Sequence, residues 1–200
     1  DLHLLRGFTR PRWRPIRELL GLGLPIAFMI LMEGSLFVIA ALLIGSLGAN
    51  AVASHQIAIN VASVTFMVPL GIGMATTVRV GHAVGAGDVA RARSAAAAGL
   101  LLALAAQLLS ATSLVLFSAP IAALYTSDLA VAGLAAQLML LAAVFQFSDG
   151  LQVVAASALR GLKDARVPAL LTAIAYWGIG MTLGWYCTFR LGRGAPGMWL

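Results

Sequence analysis

The sequence predicts an all-α, polytopic helical membrane protein with about five complete transmembrane helices and the start of a further one. Five apolar runs each reach the length of about 20 residues that a hydrocarbon core requires. The chain is 61% hydrophobic and 10% charged, with a mean hydropathy of +0.97, whereas a soluble domain carries about 25% charged residues. The basic residues also alternate between successive connections, eleven on one side and only Arg190 and Arg193 on the other. That alternation supports the span count, because a missed helix would scramble it.

Residues 1–20 form a basic segment with Arg6, Arg10, Arg12, Arg14 and Arg17, interrupted by Pro11 and Pro15. A net charge of +6 would suggest nucleic acid in a soluble protein. Here it reads instead as a cytoplasmic segment obeying the positive-inside rule, and no nucleic-acid partner is expected. The chain begins at Asp1 without a signal-peptide pattern, so a fragment of a longer protein is expected. One cysteine, Cys187, excludes an intrachain disulfide and a cysteine-based metal cluster.

The spans are placed at 22–45, 54–78, 95–118, 131–158 and 168–189, followed by the start of a helix at 196–200. Polar or glycine-rich connections separate them at 46–53, 79–94, 119–130 and 159–167. Together residues 21–200 make the transmembrane bundle. Trp177, Trp185 and Tyr186 suit a last span ending at the outer interface. Pro25 and the Pro69–Leu70–Gly71–Ile72–Gly73 run are candidate kinks, because such breaks persist in a bilayer only where neighbours satisfy the freed backbone groups. The small residues of the third span read as close helix packing.

Two acids lie deep in the apolar runs: Glu33 in the first span and Asp149 in the fourth. Each costs roughly 2.5–3.5 kcal/mol on insertion scales, so each is a functional-site candidate, marking an ion pathway or proton relay. Asp149 lies eleven residues before Arg160, about 16 Å of helix rise, which puts both acids at similar depth. Phe145, Gln146 and Gln152 share the helical face of Asp149, and Gln56, Asn60 and Ser63 form a polar stripe on the second span. These are the candidate lining of a cation or substrate cavity. The spans offer no Lys or Arg to pair with the acids, so acids that only hold the bundle together need either ion-pair partners from sequence outside this chain or neutral, hydrogen-bonded carboxyls.

Other motifs read as structure. Gly85-Ala86-Gly87-Asp88 spells the GxGD string of intramembrane aspartyl proteases, but it falls in a charged connection and reads as a glycine helix stop. His55 and His82 stand alone without metal-ligand spacing, and Arg79 reads as an anchor at the cytoplasmic end of its span. Met29, Met32, Met67, Met74 and Met139 read as packing, with a permissive pocket as the alternative. No enzyme activity is indicated.

The run from Gly23 to Asp88, beginning GLPIAFMILMEGSLFVIA and ending GHAVGAGD, resembles the second lobe of the multidrug and toxic compound extrusion (MATE) family, in its NorM-like bacterial branch. DGLQVVAASALRGLKDARVPALL and YWGIGMTLGWYCTFRLGRGAPGMWL continue the resemblance. It implies a twelve-helix, multi-pass transporter of the bacterial inner membrane, with residues 1–20 as a cytoplasmic linker between lobes and a first lobe lying outside this chain. It also implies that Glu33 and Asp149 bind the coupling cation, H⁺ or Na⁺, with no other cofactor. Some relatives carry a tyrosine one turn before that aspartate, where Phe145 stands here. The function implied is a cation-coupled multidrug antiporter exporting cationic amphipathic compounds by alternating access. A lipid-linked precursor flippase of the same superfamily should carry basic residues in its cavity, whereas these spans carry acids. A non-transporting membrane subunit is the reading from a different class.

Overall fold

The computed structural model describes residues 13–199, so Arg6, Arg10, Arg12 and Leu200 lie outside the described residues. Among the described residues there is no strand; the long elements are α1 (Trp13–Gly45), α2 (Ala49–Gly85), α3 (Val89–Tyr125), α4 (Leu129–Gly161) and α5 (Arg166–Arg190). All five are long and apolar enough to cross a membrane. A 3₁₀ turn, Ala195–Trp199, occupies the place where the start of a further helix is expected.

The helices outrun the apolar spans. At 37 residues each, α2 and α3 extend to about 55 Å, well beyond a hydrocarbon core of about 30 Å. Hydropathy marks where lipid ends, whereas helical hydrogen bonding continues into the interface through Ala, Arg and Val. Most of the 79–94 connection is therefore helical, and the true turn is Ala86–Asp88. Gly87 adopts φ +73°, the left-handed conformation that ends a helix at least cost in glycine. Asp88 then caps α3, accepting the Arg91 N–H at 2.8 Å, which absorbs the GxGD string into helix punctuation. Asp128 caps α4 in the same way, through the Ala130 and Val131 N–H groups at 2.8 and 3.3 Å.

α1 and α2 run on through Pro25 and Pro69, as α3 does through Pro120. Gly73 lies where a Cβ would come within 2.6 Å of Ser157 Oγ, so its service in this conformation is close approach to α4; Gly71 faces open space. α5 departs from regularity: Ile174–Gly180 and Tyr186–Arg190 are π-helical, the wide form that often marks functional sites in membrane and soluble helices alike.

Packing divides the bundle into two groups. α2, α3 and α4 pack closely on one another, and α1 packs chiefly on α5. The main core belongs to the trio, with Leu114, Leu138, Met139 and Ala142 almost wholly enclosed. The groups meet along a seam where Met29 of α1, Ala156 of α4 and Ala169 of α5 form a small apolar cluster. This seam positions the acids.

Candidate functional site

On α4, Asp149 is 8% exposed and points across the seam. The Tyr176 hydroxyl, on the first π-helical stretch of α5, donates to Asp149 Oδ1 at 3.0 Å. Gln152 Nε2 in turn lies 3.2 Å from the Tyr176 oxygen and 3.4 Å from Thr172 Oγ1, so it supplies N–H donors to this small polar network. The carboxylate thus has a phenolic donor although Phe145 brings no oxygen. Phe145 instead lines, with Tyr176, His55 and Trp199, an apolar cavity of about 140 Å³.

Glu33 is partly buried on α1. The Met29–Ala156 contact fixes its depth: one turn outward from Met29 brings Glu33 level with Gln152 and Val153, leaving Asp149 about one further turn, or about 5 Å, beyond. The two carboxyls lie within electrostatic reach of each other. Glu33 opens into a hollow of about 380 Å³ walled by Met29, Phe66, Met74, Thr77 and Val153. Apolar and thioether walls around one carboxylate suit an amphipathic cation.

Arg160 lines the same hollow. The sequence places it in a cytoplasmic turn and treats the spans as free of bases; the structure corrects this. The side chain folds back along α4, its Nη2 donating to Ser157 Oγ at 2.6 Å, and its Nε is buried without a partner. The sequence signal was available, because eleven residues are just over three helical turns and put Arg160 below Asp149 on one face.

The remaining candidates lie elsewhere. Gln146 is 2% exposed in the α3–α4 interface, where its Oε1 accepts from Ser110 Oγ at 2.7 Å and its carbonyl accepts from Gln107 Nε2. It is a knot inside the trio and does not face the seam. Gln56 and Asn60 are exposed on a different face of α2, and Asn60 Oδ1 accepts from the Tyr125 hydroxyl at 2.8 Å. They form a separate shallow hollow that does not reach the acids. His55, 3% exposed, accepts from Trp199 Nε1 at 3.1 Å, as a hydrogen-bonded histidine would. Sequence reasoning missed Tyr176 and assigned Trp177 to the outer interface, yet Trp177 Nε1 donates to the Met32 carbonyl at 3.1 Å, beside Glu33. The available signal was a hydroxyl and an indole N–H that need partners in an apolar span.

The MatE family profile matches residues 25–186. Over 199 residues the chain is 55% identical to the probable multidrug resistance protein NorM of Xanthomonas axonopodis pv. citri, covering 100% of this chain and 43% of that protein. It is 46% identical to the multidrug resistance protein PmpM of Pseudomonas aeruginosa, covering 96% of this chain and 42% of that one. A crystal structure of a MATE mutant superposes with a TM-score of 0.88 at 20% identity, covering 98% of this chain and 43% of that structure. The chain therefore spans less than half the length of these relatives. On the profile match and the identities together, it belongs to the MatE family of membrane proteins.

Proposed function

We propose that this chain is the ion-coupling lobe of a multidrug antiporter that exports cationic amphipathic compounds in exchange for H⁺ or Na⁺. The observation that carries this reading is the placement of Glu33 and Asp149: two acids about one turn apart in depth, one latched to a tyrosine across the helix seam, the other open to a Met- and Phe-walled hollow. Such a pair binds a small cation or a cationic ligand in the same electrostatic field. Coupling needs only that ion and drug favour different states of a two-state protein, since a ligand with equal affinity for both states shifts nothing. An ion moving down its gradient supplies about 2.3 kcal/mol per charge per 100 mV, in addition to its concentration term. In this reading the protein lies in the bacterial inner membrane with residues 1–20 on the cytoplasmic side, and a first lobe completes the drug cavity. The multidrug resistance names of the relatives support it.

Arg160 removes the simplest objection to a flippase, that no base lies among the spans. One guanidinium facing a carboxylate is nevertheless a poor clamp for pyrophosphate, which calls for several uncompensated positive charges. The test is ion-driven efflux by the full-length transporter in proteoliposomes. Glu33→Gln and Asp149→Asn should each abolish ion-dependent export of a fluorescent organic cation while the protein remains folded and membrane-inserted. Undiminished efflux in both variants overturns the coupling role, and loss of folded protein in both assigns the acids to bundle stability.

A further inference from the structure

Consecutive residues of the π-helical stretch hold different helices. Tyr176 donates across the seam to Asp149 on α4, at 3.0 Å. Trp177, the next residue, donates to the Met32 carbonyl on α1, at 3.1 Å. An ordinary α-helix turns 100° per residue, and a backbone widened by an extra residue re-aims neighbouring side chains, which is how one short segment addresses two partners. Met32 immediately precedes Glu33, so the indole fixes the acid-bearing turn of α1 to α5. The phenol fixes α5 to the other acid.

The rest of the packing makes this arrangement consequential. α4 and α5 approach each other mainly through side chains, while α1 and α5 pack as a pair. Polar contact across the seam is concentrated in Tyr176–Asp149 and the Gln152 contacts to Tyr176 and Thr172. Tyr176 is 8% exposed and Thr172 3%, so these bonds do not compete with bulk water.

We propose that Tyr176 and Trp177 form a latch through which the occupancy of Asp149 sets the position of α1: the α1–α5 pair moves as one unit against the α2–α4 trio when the Tyr176–Asp149 bond is rearranged. A carboxylate with an empty cation site accepts the phenolic O–H. A bound proton or metal cation takes up a carboxylate lone pair and competes for that oxygen, which loosens the bond. Trp177 then ensures that α1, with Glu33 and the mouth of the hollow, follows α5. Tyr176 and Trp177 are positioning residues, acting through Asp149 and Met32 without contacting cargo. The latch rests on the ion-coupling reading above and extends it from the acids to the element that reports their state.

Spin-label distance measurements on the full-length transporter, in a background without native cysteines, test this. Labels at exposed Leu31 on α1, Leu171 on α5 and Leu108 on α3 report the pair against the trio. Raising Na⁺ or lowering pH should shift both the Leu31–Leu108 and the Leu171–Leu108 distributions in the parent, and Asp149→Asn should abolish both shifts. Tyr176→Phe, which removes one hydroxyl and keeps the ring, should reduce both shifts at least threefold. Trp177→Phe should preserve the Leu171–Leu108 shift and reduce the Leu31–Leu108 shift at least threefold. If Asp149→Asn abolishes the shifts and Tyr176→Phe leaves them at parental size, the latch is overturned and the ion site stands. If Asp149→Asn leaves them intact, the ion reading falls and the latch falls with it. Should Trp177→Phe not yield folded protein, the Tyr176→Phe measurement decides alone.

Discussion

Arg160 and Glu33, on different helices, line one hollow, so the protein carries its own cation beside the carboxylate proposed to bind foreign ones. The guanidinium is held back by Ser157 Oγ and keeps an unpartnered buried Nε, a group with something left to bind. A carboxylate and a guanidinium in one partly hydrated hollow attract by roughly 1–2 kcal/mol at an effective dielectric near 20. Removing the resident charge should release that attraction to an incoming cation. Arg160→Gln is therefore expected to tighten binding of a fluorescent organic cation to the purified full-length transporter by about fivefold to thirtyfold, whereas Arg160→Lys should stay near the parental affinity. Fluorescence polarisation measures this; unchanged or weaker binding in Arg160→Gln would show that Arg160 does not compete for Glu33.

The Asp88 carboxylate caps the start of α3 through the Arg91 N–H, which separates it from the two acids in the membrane. Asp88→Ala should cost about 1 kcal/mol of stability and lower the melting temperature by a few degrees, while Asp88→Asn, itself a good cap, should cost little. Both variants should export with parental ion dependence. A loss of transport in Asp88→Asn without loss of stability would assign Asp88 a chemical role.

Much of this architecture was legible because lipid imposes few solutions. Apolar run length and alternating basic residues gave five helices, and the two acids stood out because their surroundings were uniformly apolar. Which residues face those acids was not legible, for physical reasons visible at particular positions. Gln146 and Gln152 both neighbour Asp149 on the helical wheel, yet one faces α3 and the other faces α5. The difference depends on where the neighbouring helices stand, which periodicity within α4 does not encode. Tyr176 reaches Asp149 through a π-helical distortion that no hydropathy pattern announces. Arg160 deceived by length: its Cα sits in the last turn of α4, but a long flexible stem carries the charge back inward.

Gln146 supplies a direct check on this division of labour. Its side chain and carbonyl tie α4 to Ser110 and Gln107 inside the trio, remote from the seam. Interhelical hydrogen bonds in membranes contribute about 0.6 kcal/mol on average, and truncation adds the cost of a cavity. Gln146→Ala should therefore lose about 1–2 kcal/mol of stability, read as a lower melting temperature in detergent, with the ion concentration for half-maximal transport unchanged. Gln152→Ala, which disturbs the Tyr176 network, should shift that ion concentration.

Gly161 is a tight constraint on the trio where α4 ends. A Cβ there would lie 2.8 Å from Val80 Cβ and 2.9 Å from the Thr77 carbonyl oxygen, so α2 and α4 must part to admit a methyl group. Part of that obstacle is backbone, which cannot rotate out of the way, and overpacking of this kind typically costs 1–3 kcal/mol. Gly133 lies on the same helix with nothing within 4 Å of its would-be Cβ. There the only effect of alanine is the gain in helix propensity, up to about 1 kcal/mol. Gly161→Ala should thus lower the melting temperature of the purified transporter while Gly133→Ala leaves it level or raises it. Because Thr77 walls the hollow that holds Glu33 and Arg160, Gly161→Ala should also weaken organic-cation binding, and parental affinity in a destabilised Gly161→Ala protein would show that α2–α4 spacing does not shape that hollow.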